Sequence, residues 1–249
     1  MGSLPLPSLI VLHASPSVIL ARLQKMPEEA MLRLGEMQQT SPLHLAIEEG
    51  ASHTVVVGIM GLDKAAVAMQ NAEGQLPLHL AASHGASSVV ATALLEAYPT
   101  AIRHADEDGR LPLHYAAEHG ADISVLLALC RAYPEAAAAL DSAHQLPLHL
   151  AVLKEHGATV YTSEAAVATL LLAHPAGVFA RDRDGRTALE LARTAVSPLR
   201  SVIAALAVAS EQNEEPMAEA TTATAAEADS ASYRGGRGGR GGRGGRGAR

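Results

Sequence analysis

The string Leu-Pro-Leu-His recurs at Leu76–His79, Leu111–His114 and Leu146–His149, and the variant Ser41-Pro42-Leu43-His44 precedes them. Their prolines, Pro42, Pro77, Pro112 and Pro147, stand 35 residues apart. A degenerate copy, Thr187-Ala188-Leu189-Glu190-Leu191-Ala192, follows six residues late. A fixed period of this size constrains the fold more than any single residue can. Each unit is too short to bury its own apolar face, so neighbouring units must stack and share one core.

The segments Asn71-Ala72-Glu73-Gly74, Asp106-Glu107-Asp108-Gly109 and Asp182-Arg183-Asp184-Gly185 lie just upstream of the anchors. An Asn or Asp that bonds its own backbone, with Gly fourth to take a positive φ, predicts a tight turn. Proline then sits where a helix begins and no N–H donor is needed. Gly85 and Gly120 are placed to end that first helix. A second, apolar helix is predicted over Val89–Ala97, Val125–Ala132 and Ala165–Ala173, stopped by Tyr98-Pro99, Tyr133-Pro134 and His174-Pro175.

Turn, helix, helix, with Pro-Leu-His-x-Ala-Ala opening the first helix, resembles the ankyrin repeat. The resemblance covers residues 36–209, divided as 36–70, 71–105, 106–140, 141–181 and 182–209. It implies an all-α solenoid of stacked helix-turn-helix units joined by β-turn loops. Residues 1–35 are expected to supply N-terminal capping helices, with a pair within Leu9–Lys25, and Ser197–Ala209 to close the other end. The family usually places Thr before the proline, whereas Leu76, Leu111 and Leu146 stand there and only Ser41 and Thr187 keep an oxygen. Each lost cap costs about 1 kcal/mol, so altered local bonding is expected rather than a different fold. The extra six residues fall within Leu153–Ser163, where added length is expected to serve the binding face.

With no Trp, one Phe and five Tyr in a chain that is 48% hydrophobic, the apolar content is mostly aliphatic and small, which suits helices better than strands. The net charge of −7 conceals an uneven distribution. Residues 1–210 hold 13 bases and 20 acids, 211–232 six acids and no base, and 233–249 six arginines and no acid. The acidic Ala/Glu/Thr-rich segment 210–233 and the low-complexity tail 234–249 lack bulk to bury and are expected to be disordered. The tail reads Arg-Gly-Gly four times and then Arg-Gly-Ala-Arg, and is similar to the RGG boxes of RNA-binding proteins. That likeness implies nucleic-acid contact through Arg234, Arg237, Arg240, Arg243, Arg246 and Arg249, and methylation of those arginines.

The single cysteine, Cys130, excludes an intrachain disulfide and sits among Leu and Ala as a buried small hydrophobe would. Met1-Gly2-Ser3-Leu4-Pro5-Leu6 has no basic n-region, and Leu6 breaks the myristoylation pattern. No apolar run approaches the roughly 18 residues of a membrane span. The expectation is an intracellular protein, cytoplasmic or nuclear, without membrane contact.

Twelve histidines invite a metal reading. His44, His79, His114 and His149 recur once per unit, however, and so form a ladder rather than a cage converging within about 2 Å of an ion. His84 and His119 follow five residues later, on another side of the helix. No nucleophile elbow occurs, nor a phosphate loop or dinucleotide motif outside the tail. The sequence therefore predicts no enzyme, cofactor, metal or small-molecule substrate, and a monomer that binds a protein partner of unknown identity. By resemblance, the contacts come from the second, third and fifth turn positions and from two residues after Ala-Ala. Those are Glu73, Gln75, Ser83 and His84; then Glu107, Asp108, Arg110, Glu118 and His119. They continue with Ser142, Gln145, Leu153 and Lys154, then Arg183, Asp184, Arg186, Arg193 and Thr194. The alternative function is an RNA-associated protein in which the tail binds nucleic acid and the array recruits partners.

Overall fold

A computed structural model of the protein describes residues 4–31, 40–153, 164–194 and 200–212. These lie almost wholly in one compact unit, Met1–Ser210, with Glu211–Arg249 the second. The first unit is helical throughout, and no strand occurs among the described residues. Helices α1 (Leu6–Val11), α3 (Pro42–Glu48), α5 (Pro77–Ser83), α7 (Pro112–Glu118), α9 (Pro147–Val152) and α11 (Ala188–Thr194) form one row, each packed on the next. Helices α2 (Pro16–Lys25), α4 (His53–Leu62), α6 (Ser88–Ala97), α8 (Ile123–Ala132) and α10 (Glu164–Ala173) form a second row in the same way. A last helix, α12, occupies 200–212 and buries Val202 and Leu206 in the shared core. It overlaps the Ser197–Ala209 expected for the closing helix and runs three residues further, while 195–199 fall outside the described residues.

Proline opens α3, α5, α7 and α9 at a position whose N–H would have no helical partner. Each of these helices makes only about two turns, too few to persist alone. Packing holds them: Leu43, Leu78, Leu113 and Leu148 are at most 2% exposed. Gly50, Gly85 and Gly120 follow the helices at φ of 65°, 66° and 65°, the left-handed geometry that ends them.

The leucines that replace the usual cap residue explain their own presence. Leu76, Leu111 and Leu146 are 1%, 7% and 2% exposed, packed in the core. Burying a leucine stabilises by about 1.5–3 kcal/mol, more than the ~1 kcal/mol of a lost hydroxyl cap. The half of the reciprocal cap that the motif histidine makes is kept. The N–H groups of Leu76, Leu111 and Leu146 donate to Nδ1 of His79, His114 and His149 at 3.0, 3.0 and 3.1 Å. Where the oxygen survives, the cap is reciprocal: Glu190 N–H reaches Thr187 Oγ1 at 3.3 Å, and Thr187 N–H reaches Glu190 Oε2 at 2.8 Å.

The prolines expected only to stop the second helices also begin something. Pro99–Arg103, Pro134–Ala138 and Pro175–Phe179 are 3-10 turns that bury Ala101, Ile102, Ala136, Ala137 and Val178. A fixed φ that breaks an α-helix still suits the first residue of a tighter one. At the N-terminal end, α1 and α2 pack against each other, α1 starting at Leu6. Glu29 ties the two together. Its carboxylate accepts Leu6 N–H at 2.8 Å and Arg22 Nε–H at 3.0 Å. The Arg22 hydrogen bond holds its carboxyl below the usual range, against the burial that pushes it up.

Candidate functional site

The turns are built alike. Oδ1 of Asn71, Asp106, Asp141 and Asp182 accepts two backbone N–H groups further along, at 2.8–3.0 Å. Gly74, Gly109 and Gly185 take the fourth position at φ of 76°, 73° and 78°. In the fourth unit that position is His144, at φ 57°. A left-handed conformation costs a non-glycine residue about 1–2 kcal/mol, part of which glycine's greater chain entropy returns. His144→Gly is therefore expected to stabilise the fold by roughly 0.5–1 kcal/mol, read as a higher urea midpoint. An unchanged or lower midpoint would contradict the strain argument.

Successive turns are also bonded to one another. Glu107 N–H donates to Glu73 O at 3.2 Å, Ser142 N–H to Asp108 O at 2.9 Å, and Arg183 N–H to Ala143 O at 3.1 Å. At Gly74 the next turn leaves no room for a side chain, since a Cβ there would stand 3.1 Å from Glu107 N. The tips form one continuous rim. Behind it each motif histidine bonds its first helix to chain further on, and His44 and His79 reach into the next unit. Nε2–H of His79 donates to His104 O and Arg110 O at 3.1 and 3.2 Å, and that of His149 to Ala180 O at 3.0 Å. His44 and His114 bridge likewise to Gln75 O and Ala139 O at 3.2 and 3.1 Å. Because Nδ1 of these rings accepts a backbone N–H, the neutral Nε2–H form is the one that fits.

Polar residues of the face divide into those turned inward and those left outward. Gln75 is 7% exposed, its amide donating to Tyr115 Oη at 2.7 Å and accepting from Asn71 at 3.1 Å. Arg110 is half-buried, donating to Glu118 at 2.8 Å and to Asp141 at 3.4 Å. Arg186 pairs with Asp182 at 3.0 Å and Asp184 at 2.6 Å. Outward lie Glu73, His84, Glu107, Asp108, Ser142, Arg183, Arg193 and Thr194, while Ser83, Gln145 and Leu153 are half-buried. His119 is exposed but stacked on Tyr115, with ring centroids 6.0 Å apart. Lys154, most of the insertion and the six tail arginines lie outside the described residues.

A groove of about 440 Å³ opens on this face. Glu73, Gln75, Ser83, His84 and His119 line it, joined by Glu48, Asn71, Leu80 and Tyr115. Of these, Glu48 was legible by position, because it ends the first unit's helix where Ser83 and Glu118 end theirs. Burial pushes the Glu48 carboxyl above its ordinary range, His84 pulls it down, and Glu49 and Glu73 push it up. Arg183, Asp184 and Arg186 belong to the last turn and do not line the groove.

Cys130 is 7% exposed, and burial pushes its thiol up to about 11. Among the described residues no group of three or more His, Cys, Asp or Glu is placed to hold a metal ion. No described helix is long and apolar enough to cross a membrane.

Residues 43–138 match the model of ankyrin repeats in three copies. Among solved structures the chain is similar to one from the complex of the predatory endopeptidase Bd0816 of Bdellovibrio bacteriovorus with the immunity protein Bd3460. The TM-score is 0.62 at 19% identity, over 82% of this chain and 97% of the other. A likeness at that identity concerns the fold alone. No curated protein matches the sequence.

Proposed function

We propose, for a chain that carries ankyrin repeats over residues 43–138, a non-enzymatic scaffold or adaptor that binds a protein partner through the rim of turn tips and the first helices. The observation that carries this reading is the rim itself. Tips bonded backbone to backbone hold Glu73, Glu107, Asp108 and Arg183 in a fixed row, so a partner meets a preorganised surface and little order is lost on binding. The similar solved chain comes from a complex of two proteins, which supports a protein partner here.

A photo-crosslinking residue placed at Glu107 tests this. Adducts with another protein are expected from Glu107 and not from Thr92, which is exposed on the second-row helix α6. Reversing charge with Glu107→Lys and Asp108→Lys together is expected to reduce capture of the same protein at least about tenfold. Equal adducts at both positions, or none from the rim, would overturn the reading.

A further inference from the structure

We infer that the groove at Glu48, Glu73 and Tyr115 takes an extended basic segment of a partner protein, with one arginine or lysine side chain lying between the two carboxylates. This rests on the reading of the face as a protein-binding surface and names the chemistry of the segment it receives. The volume of about 440 Å³ is within the roughly 300–1,000 Å³ usual for ligand sites. The sign of the charge decides the occupant. Among the described residues that line it are two carboxylates, Glu48 and Glu73, and no ammonium or guanidinium group. The Arg110 guanidinium, 5.8 Å from the centre of the Tyr115 ring, is committed to Glu118 and Asp141. Glu107 and Asp108 continue the acidic character along the rim.

An anionic segment would be repelled from such a place. An apolar one would cover Glu48 and Glu73 without pairing either carboxylate. A cationic side chain meets both requirements, its stem crossing the edge of Leu80 and Tyr115 and its charge ending at the acids. Glu48 supports the same conclusion. It is half-buried among Glu49, Glu73 and His84, and burial already raises the energy of its charged form. A cation beside it lowers that energy. Asn71 and Ser83 keep their polar groups bonded to neighbours of their own, so they border the groove without competing for the cation.

The test is fluorescence anisotropy with the full chain and two short labelled peptides, one carrying a pair of arginines and the other glutamates in their place. The arginine peptide is expected to bind, and the glutamate peptide to give no rise in anisotropy. Glu73→Gln, exposed, is expected to weaken binding roughly threefold, and half-buried Glu48→Gln roughly tenfold. Thr92→Gln, on the second row, should leave the affinity unchanged. Circular dichroism of each variant separates lost binding from lost folding. Equal binding of the two peptides, or an affinity untouched by the paired Glu48→Gln and Glu73→Gln substitutions, overturns the inference. If that happens while Glu107 still crosslinks a partner, the protein-binding face stands and only the basic segment falls.

Discussion

Acidifying the folded protein from neutrality to about pH 4 is expected to remove on the order of 3 kcal/mol of stability through His79 alone. The cause is geometric. His79 is fully buried, its Nδ1 accepts the Leu76 N–H, and its Nε2–H serves two carbonyls, His104 O of its own unit and Arg110 O of the next. A second proton would have to sit on Nδ1, facing another N–H, and its charge would be stranded away from water. Burial accordingly pushes the ring down to about 4, although Asp106 pulls the other way. The unfolded chain takes up the proton near pH 6.5, before the folded one can. Stability is therefore complete above about pH 6.5 and is lost as pH falls towards the folded value.

His114 and His149 are lowered by the same burial, so they act in the same direction. Glu29 and Asp182, held low by their partners, lose their contributions only further into acid. Glu48, raised by burial, works in the opposite sense as it protonates. Between about pH 6.5 and 4.5 the histidines dominate. Urea midpoints across that interval should fall steadily in the parent protein. In His79→Gln, which cannot titrate, the starting midpoint should be lower and the slope with pH shallower. A midpoint that stays flat down to about pH 5, or a slope identical in His79→Gln, would refute the ladder as the acid-sensitive element.

The stack was legible because its evidence is local and repeated. Pro, His and Gly each need one backbone geometry, and recurrence at 35 residues turned weak signals into a fold. What escaped depended on contacts between units. Gln75 and Arg110 look like solvent-facing residues in the sequence, yet their bonds run to Tyr115, 40 residues on, and to Asp141, 31 residues on. No spacing rule indicates which long polar side chain finds such a partner. His144 escaped for another reason: a positive φ was expected of glycine, and the constraint of a repeated turn outweighed one residue's preference. Glu48 could have been found by aligning the first unit with the others, since the motif positions extend to it.

Tyr115→Phe is the second change with a large expected effect, and it bears on how the groove is built. The slot holds leucine in other units, at Leu45, Leu80 and Leu150. Here the phenol donates to Asp106 Oδ2 at 2.6 Å and accepts from Gln75 Nε2 at 2.7 Å. Burial pushes its ionisation well above the ordinary range, followed by the Asp106 hydrogen bond and charge, so the proton stays available for donation. Asp106 and Gln75 are 9% and 7% exposed, and neither can recruit bulk water freely once the hydroxyl is gone. An unsatisfied buried polar group costs about 1–3 kcal/mol, so losing both bonds should cost roughly 2–4 kcal/mol. Removing an oxygen adds no compensating burial of comparable size. A urea titration should show that loss with an unchanged slope, and a cycle with Gln75→Ala should recover a coupling of about 1 kcal/mol. A cost below about 0.5 kcal/mol would mean that water replaces the hydroxyl. The bonds also join the turn that carries Glu73 to helix α7 beneath it. The same substitution should therefore weaken the arginine peptide without touching either carboxylate, because a groove wall that is no longer fixed loses order on binding.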